Sequence, residues 1–478
     1  MIDHEQERQT QQTVLVSDRV LENSTLFVAT LTSFIGPFMI SSVNVALPAI
    51  QVEFTADAVQ LSWIGTAYLL ATAIFLVPAG KVADIYGRKK VFVSGLAFYT
   101  VASGLAAMVK TIAWLIGMRV VQGVGAAMFV TTGMAILTSV FPPHKRGRAI
   151  GIYVAAVYIG LSVGPFAGGV LTQHLGWRSL FIVVVALGVL TVLLTLRFLK
   201  GEWADAPGET FDLTGALLYG VAIFTLVYGA TLLPDRKAIY LMLTGLIGLT
   251  AFVFQEKRTR HPVFEVSLFQ RNRTFAFSSL AALINYSATF AITFLLSLYL
   301  QYLKNMPPQT TGAVLMAQPI IMALLSPLAG RLSDRVEARM IASAGMLVTV
   351  LGLINFARLQ GDTPLAMIVA TLVLVGFGFA LFSSPNMSAI MGAVDKKYYG
   401  IASGTVATMR LLGQMFSMAI ATVVLTLFIG HEPIQPSNYP EFLRSIKNIF
   451  IIFALLCAAG VYFSFARGRM TGQRSKTD

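Results

Sequence analysis

Long apolar runs alternate with short polar connectors along this chain from about residue 26 to residue 466. A run of roughly twenty apolar residues is long enough to cross a lipid bilayer as an α-helix. Counting such runs predicts fourteen spans, at 26–50, 61–80, 91–109, 112–140, 148–172, 179–199, 213–233, 238–255, 274–301, 310–330, 340–357, 364–390, 399–429 and 447–466. The pattern therefore predicts an all-α integral membrane protein whose surroundings are the lipid bilayer.

Composition and charge agree with this prediction. Of the 478 residues, 56% are hydrophobic and 12% are charged, which excludes a soluble globular protein. The net charge of +13 does not indicate a nucleic-acid partner, because the basic residues are scattered over short connectors. If the N terminus is cytosolic, the cytosolic connectors and tails hold 25 of the 35 Lys and Arg residues. This asymmetry predicts a multi-pass protein of the cell membrane with both termini in the cytoplasm.

The connector after the second predicted span, GKVADIYGRKK, holds four basic residues, one carboxylate and two glycines in eleven positions. Asp84 is expected to end the span, Gly80 and Gly87 to permit a tight turn, and Arg88 to stay out of lipid. An ordinary positively charged loop is the alternative interpretation. The ordered pattern resembles the signature loop of the major facilitator superfamily. That resemblance implies two six-helix bundles and a secondary transporter that works by alternating access.

A partial second copy of this loop follows the tenth predicted span as GRLSDR, with Gly330, Asp334 and Arg335. The two copies indicate a duplicated chain in which spans 1–6 match spans 9–14 and spans 7 and 8 are inserted. The predicted domains are a cytosolic tail, a first bundle, a linker with two extra helices, a second bundle and a final tail, at 1–25, 26–199, 200–273, 274–466 and 467–478. The resemblance gives Asp84 with Arg88, and Asp334 with Arg335, the role of cytosolic latches between the bundles.

The fourth predicted span carries LIGMRVVQGVGAA, with Arg119 and Gln122 inside it. An arginine at that depth is expected to face the bundle interior or a watery cavity. The segment resembles the helix-4 motif of the superfamily, which implies a role in substrate binding or proton coupling. A structural hub, in which Arg119 bonds to neighbouring carbonyls, is the alternative.

The fifth predicted span reads GLSVGPFAGG and places small residues around a proline. Such spacing lets another helix approach closely, and the proline bends the helix. The segment resembles the motif of exporters in the superfamily at Gly160, Gly164, Pro165, Gly168 and Gly169. Generic helix packing without a meaning for transport direction is the alternative.

Four further segments, NVALP, GWRSLF, FDLTGA and RHPVFEVSLFQRNRTF, resemble the fourteen-helix drug:proton antiporter family over nearly the whole chain. The resemblance implies export of small amphipathic compounds or drugs in exchange for protons, and we expect the protein to function as a monomer. One position departs from the family pattern, because Met39 stands where an aspartate is expected. No Asp, Glu or His lies well inside a predicted span. A proton-uncoupled facilitator, or a transporter of anionic or neutral solutes, is therefore the alternative function.

The polar residues that remain inside the spans are neutral or positive. With Arg119 and Gln122, the candidates for a substrate or coupling cavity are Ser41, Asn44, Tyr68, Asn285, Gln318, Asn386, Arg410 and Gln414. A cavity of this character favours anionic or neutral amphipathic solutes, although each Asn or Gln can equally serve as interhelical hydrogen-bonding glue. A membrane enzyme is disfavoured, and no metal site or cofactor is predicted, because the spans hold no cluster of acidic residues or histidines. A sensor or scaffold that has lost transport is disfavoured by the intact motifs of spans 4 and 5.

Overall fold

The computed structural model describes residues 2–233, 235–259, 269–270, 272–333, 335–394 and 399–468, which form helices joined by turns and short connectors. The first eight helices are α1 (Ile2–Phe54), α2 (Ala58–Tyr86), α3 (Arg88–Ala106), α4 (Ile112–Val140), α5 (Pro143–Leu175), α6 (Arg178–Phe198), α7 (Leu213–Thr231) and α8 (Arg236–Glu256). The helices from residue 273 onward are α9 (Arg273–Thr289), α10 (Ile292–Tyr302), α11 (Pro308–Leu315), α12 (Ala317–Ser333), α13 (Ala338–Phe356), α14 (Leu365–Gly392), α15 (Tyr399–Ile429) and α16 (Tyr439–Ala466).

These helices confirm the predicted all-helical membrane fold. Thirteen helical stretches are long and apolar enough to cross a membrane, with α9–α10 and α11–α12 each counting as one stretch. The fourteenth span, α3, falls outside that set because it opens with the three basic residues Arg88, Lys89 and Lys90. Two boundaries differ most from the prediction: α16 begins at Tyr439, and helix already runs through most of the predicted N-terminal tail.

Two predicted spans are each broken into two helices. Between α11 and α12 the break falls at Met316, and Pro319 has no N–H for the carbonyl of Leu315. Between α9 and α10 the amide of Ala291 leaves the helical ladder and donates a 3.0 Å hydrogen bond to the Ser417 hydroxyl of α15. A side chain inserted in this way interrupts the helix without any proline.

Helix packing divides the chain into two halves. In the first half α1 packs on α5, α2 and α3 pack on α4, and α3 packs on α6. In the second half α14 packs on α12 and α13, while α9 packs on α15 and α16. The pairing repeats between the halves with an offset of eight spans, as the duplicated loop predicts.

The inserted hairpin of α7 and α8 attaches to the bundles through α7. Asp212 caps α7 by accepting a 2.9 Å hydrogen bond from the amide of Gly215. α7 packs on α2 of the first half and also contacts α15 of the second half, and α8 packs on α7. The Tyr219 hydroxyl of α7 donates a 3.1 Å hydrogen bond to the carbonyl of Ala73 in α2.

The two ends of the bundle differ in how the halves meet. We call the end with the α2–α3 turn the signature face and the other end the opposite face. At the opposite face the halves share several hydrogen bonds: Ser297 to the Asn44 carbonyl at 2.7 Å, Gln301 to the Val45 carbonyl at 2.9 Å, Gln51 to the Ile434 carbonyl at 2.9 Å and Tyr302 to Gln51 at 2.5 Å. Nearer the signature face, the described hydrogen bond across the halves is the 3.4 Å contact of Tyr158 with Ser383. The halves are therefore joined mainly at the opposite face.

Candidate functional site

Arg119 occupies the interior of the first half. Its side chain is 1% exposed, and its guanidinium stacks on the ring of Tyr68 at 4.4 Å. Nε donates a 3.0 Å hydrogen bond to the carbonyl of Ile64 in α2, and Nη1 donates a 2.9 Å bond to the Gln122 side chain. Gln122 in turn donates a 2.7 Å bond to the hydroxyl of Ser103 in α3. Arg119, Gln122 and Tyr68 are thus brought together as a hydrogen-bonded hub of α2, α3 and α4.

Arg410 lies at a different place, where α15 faces both halves. It is half-buried and within electrostatic range of Tyr153 on α5 and Tyr286 on α9. Among the described residues, no carboxylate forms an ion pair with Arg410. A cation without a paired carboxylate at the junction of two halves can accept an anionic or hydrogen-bond-accepting group of a solute.

Aromatic and hydroxyl groups lie near this cation, because Tyr286 interacts with Arg410 and also with Tyr158 and Ser383. The ring of Tyr286 packs edge-on against Phe379 of α14, with centroids 5.3 Å apart. The hydroxyls of Tyr158 and Ser383 lie 3.4 Å apart across the two halves. Aromatic faces with a few hydroxyl donors suit a flat amphipathic solute. We call the set formed by Arg410, Tyr153, Tyr158, Tyr286 and Ser383 the Arg410 cluster.

Among the described residues, no hydrogen bond joins the other predicted cavity residues to Arg119 or Arg410. The Ser41 hydroxyl donates hydrogen bonds to the carbonyls of Pro37 at 2.8 Å and Gly160 at 3.3 Å, and the second of these joins α1 to α5. Asn386 is bonded within the second half, as described below. Asn285 is fully buried, and neither of its amide atoms is hydrogen-bonded to a described residue. The remaining three are buried or half-buried on their helices: Asn44, Gln318 and Gln414.

The glycines of α5 serve two different contacts. A Cβ on Gly160 would lie 2.7 Å from the Phe34 carbonyl, and one on Gly168 would lie 2.7 Å from Cα of Ser42, so these positions admit α1. Gly164 belongs to the same face and accepts a 2.8 Å hydrogen bond from Ser42. Gly169 instead faces the second half, where a Cβ would lie 2.8 Å from Cα of Gln309.

Pro165 takes part in this contact between the halves. A Cβ on Gly312 of α11 would overlap the carbonyl group of Pro165 and lie 3.0 Å from Cα of Phe166. The motif of α5 therefore packs α1 on one side and meets α11 on the other. Its role in the direction of transport stays a prediction.

The signature loop pairs its own charges and also binds the connector between α6 and α7. Arg88 donates to Asp84 from Nη2 at 2.8 Å and to the Ser139 hydroxyl from Nη1 at 2.8 Å. It also pairs with Asp205 of the connector. Gly87 has φ of 115°, a conformation that favours glycine, whereas Gly80 lies in α2 with ample space. The latch between bundles stays a prediction.

The second copy of the loop is described only in part. Asp334 lies outside the described residues, and Arg335 is exposed. Gly330 faces Ser384 of α14, and a Cβ there would lie 2.8 Å from its hydroxyl.

Sequence reasoning missed two features of the signature face. Arg467 was assigned to a tail, but it is 2% exposed and donates a 2.7 Å bond to Asn386 and a 3.2 Å bond to Ser278. Burial lowers the pKa of Arg467 to about 10. The second feature is the acidic connector between α6 and α7. Its only signal in the sequence is a negative charge, opposite to the positive charge of the signature loop.

The carboxylates of the described spans lie at helix ends. Glu53 at the end of α1 accepts hydrogen bonds from Trp177 at 2.8 Å and Arg178 at 2.5 Å, which gives the GWRSLF segment a structural role. Met39, at the position where the family has an aspartate, is fully buried. Among the described residues, no acidic side chain forms an ion pair with Arg410 of the cluster.

Two repeated six-helix bundles that meet around a polar junction define a membrane transporter. The sequence profile of the Major Facilitator Superfamily matches residues 29–255 and 278–477, and the chain belongs to this superfamily. It is therefore a secondary transporter and not an enzyme. The expected relationship and fold are confirmed.

Named relatives and a solved structure agree with this assignment. The chain is 33% identical to the riboflavin transporter RibZ of Clostridioides difficile, over 87% of this chain and 90% of that protein. It is 32% identical to the multidrug resistance protein Stp of Mycobacterium tuberculosis, over 85% and 77%. It is 28% identical to the tetracenomycin C resistance and export protein of Streptomyces glaucescens, over 84% and 74%. The peptide transporter POT in complex with alafosfalin has the same fold, with a TM-score of 0.69, 15% identity and coverage of 95% and 99%.

Proposed function

We propose that this transporter exports small, flat amphipathic compounds that are neutral or anionic, and that it binds them at the Arg410 cluster. The observation that carries the proposal is Arg410 itself, a cation at the junction of the halves with no carboxylate paired to it among the described residues. A lipophilic cation would meet an uncompensated like charge there, which disfavours its binding.

The relatives support this choice of substrate. One is named as a transporter of riboflavin and another as an exporter of tetracenomycin C. Riboflavin is a flat, polar ring system without a fixed positive charge. It suits a site made of tyrosine rings, hydroxyls and one arginine.

The uneven contacts between the halves support a mechanism of alternating access. The hydrogen bonds at the opposite face hold that end together, while the signature face has few described contacts between the halves. We propose that the signature face is cytosolic and that the protein lies in the cell membrane with both termini inside. The asymmetry of basic residues supports this orientation. In this arrangement the Arg410 cluster takes up solutes from the cytosol.

Proton antiport is the coupling that the relatives named for multidrug resistance and export suggest. A specific observation favours a second candidate, a facilitator without proton coupling. Met39 replaces the family aspartate, and the described spans hold carboxylates only at their ends. A buried carboxylate is the usual group that carries the exchanged proton.

Proteoliposomes with a pH-sensitive dye inside test both candidates. Riboflavin, an aromatic carboxylate and the lipophilic cation tetraphenylphosphonium are added in turn under a proton gradient. We expect the neutral or anionic probe to be transported and the cation to be rejected. Proton movement with the transported probe supports antiport, and transport without it supports the facilitator. Transport of the cation alone would contradict the proposed substrate class.

A further inference from the structure

The connector between α6 and α7 is bound across the signature loop by three carboxylates. Glu202 accepts hydrogen bonds from the backbone amides of Lys89 at 2.7 Å and Lys90 at 3.3 Å. Asp205 pairs with Arg88, and Glu209 accepts a 2.6 Å hydrogen bond from Lys81. Each of these three acidic side chains thus binds a different positively polarised group of the loop.

The backbones of the two segments are joined as well. The amide of Arg88 donates a 2.8 Å bond to the carbonyl of Trp203, and the amide of Ala206 donates a 3.0 Å bond to the carbonyl of Asp84. These bonds fix the connector in register with the loop. We call the side-chain and backbone contacts together the connector clasp.

Glu202 also replaces a missing helix cap. α3 starts after Gly87, which has no side chain to accept from the first free amides of the helix. The carboxylate of Glu202 accepts from two of these amides and carries the negative charge that a helix N-terminus favours. Gly87 makes room for it, because a Cβ there would lie 2.5 Å from Cδ of Glu202.

The attachment continues along the inserted hairpin through the membrane. Beyond the connector, Tyr219 of α7 bonds to Ala73 of α2, and the ring of Tyr228 packs edge-on against Trp63 of α2 with centroids 6.0 Å apart. α8 packs on α7. The hairpin is therefore held to the first half through the connector and along α7.

The recorded partners of Arg88 are Asp84, Ser139 and Asp205, all in the first half or the connector. The contact of α7 with α15 of the second half has no hydrogen bond among the described residues. Hydrogen bonds thus join the hairpin to the first half, whereas its described contact with the second half is apolar packing. Packing without directional bonds can slide at little cost.

We propose that the connector and the α7–α8 hairpin move with the first half as one rigid body during transport, with α7 sliding on α15. Glu202, Asp205 and Glu209 are positioning residues that fasten the hairpin. This inference rests on the alternating-access part of the proposed function. In this inference, the charged residues of the signature loop hold the inserted helices α7 and α8 to the first half.

Cross-linking tests this inference in the full-length protein with its single cysteine removed by Cys457→Ala. Lys81→Cys and Glu209→Cys are joined by a flexible bifunctional thiosulfonate, and riboflavin and aromatic-carboxylate transport are measured before and after reduction. We expect at least half of the transport rate to remain after cross-linking. A cross-linked protein that is inactive and recovers on reduction would overturn the inference.

A second cross-link separates this inference from the proposed function. Ser62 and Thr422 lie on different halves with their hydroxyls 2.8 Å apart. A disulfide between Ser62→Cys and Thr422→Cys should abolish transport reversibly. Transport that survives this disulfide would contradict alternating access and not the clasp.

Distance measurements keep the inference falsifiable without any substrate. Spin labels at the exposed positions Ala204→Cys and Lys90→Cys measure a distance within the connector clasp. Labels at Ala204→Cys and Arg335→Cys measure a distance between the halves. We expect one narrow Ala204–Lys90 distance, and a broader distribution for it in the Glu202→Gln, Asp205→Asn, Glu209→Gln variant. An Ala204–Lys90 distribution with two populations in the parent protein would overturn the inference.

Discussion

Thr422 of α15 and Ser62 of α2 meet across the two halves, with their hydroxyl oxygens 2.8 Å apart and both side chains fully buried. This contact lies at the opposite face, where Ser297 also bonds to the Asn44 carbonyl. Each such hydrogen bond contributes about 0.5–1.5 kcal/mol net, so a few of them can hold this face closed without locking it. Small residues at the same face make the close approach possible.

The substitution Gly312→Ala should force this face apart. The Cβ of an alanine at this position would overlap the carbonyl group of Pro165 on the other half. Neither backbone can shift locally to relieve the overlap, because both lie in a packed helix pair, so the two halves must separate. We expect transport to fall several-fold while the protein still reaches the membrane. In a Cys457→Ala background, a membrane-impermeant maleimide should label Thr422→Cys roughly tenfold faster when Gly312→Ala is also present, a shift of about 1.4 kcal/mol.

Gly151→Ala is the matched control for this prediction. Gly151 also lies in a span, on α5, but a Cβ there meets no atom of the described residues within 4 Å. It should leave transport and labelling unchanged. Equal labelling of Thr422→Cys with and without Gly312→Ala would show that α11 and α5 do not form the closed contact.

The two glycines of the signature loop should respond differently to alanine. Gly87 has φ of 115° and faces Glu202, so Gly87→Ala adds backbone strain of roughly 1–2 kcal/mol and displaces the connector. We expect a lower melting temperature in detergent and faster proteolysis of the connector. Gly80→Ala should be tolerated, because the nearest atom to its Cβ is Cγ2 of Thr131 at 3.9 Å. Equal losses at both glycines would contradict this account of the loop.

The fold was predictable because the spans and the repeated loop are properties of the sequence itself. Apolar length identifies a span wherever the neighbouring helices lie, and the copy at Gly330 locates the inserted hairpin. The break before Ile292 was missed, because it depends on the Ser417 hydroxyl, which is distant in sequence from Ala291.

The candidate site was less predictable, for a physical reason. An arginine in a span gives the same sequence signal whether it lies at the junction of the halves, as Arg410 does, or bonds to a carbonyl inside one half, as Arg119 does. Only the neighbouring helices distinguish the two cases. Arg467 gave no signal, because a basic residue after a span is ordinarily exposed.

Arg119→Lys should destabilise the first half. A lysine cannot donate to both the Ile64 carbonyl and the Gln122 side chain with the geometry of a guanidinium, and it leaves a buried charge poorly bonded. Losing one hydrogen bond to a buried charged group costs about 3 kcal/mol. We expect a lower melting temperature and reduced expression. Wild-type stability combined with altered substrate preference would instead make Arg119 a substrate-binding residue.

Arg410→Gln should change substrate preference with little effect on folding. No carboxylate among the described residues depends on Arg410, so its removal leaves no buried countercharge unpaired. Loss of a charge-assisted contact worth about 1.5–3 kcal/mol should weaken transport of an aromatic carboxylate by roughly tenfold or more in apparent affinity. Riboflavin should be affected less, and Arg410→Lys should retain much of the carboxylate transport. Competition assays in proteoliposomes measure each apparent affinity, and equal weakening of the neutral and anionic probes would remove Arg410 from the substrate site.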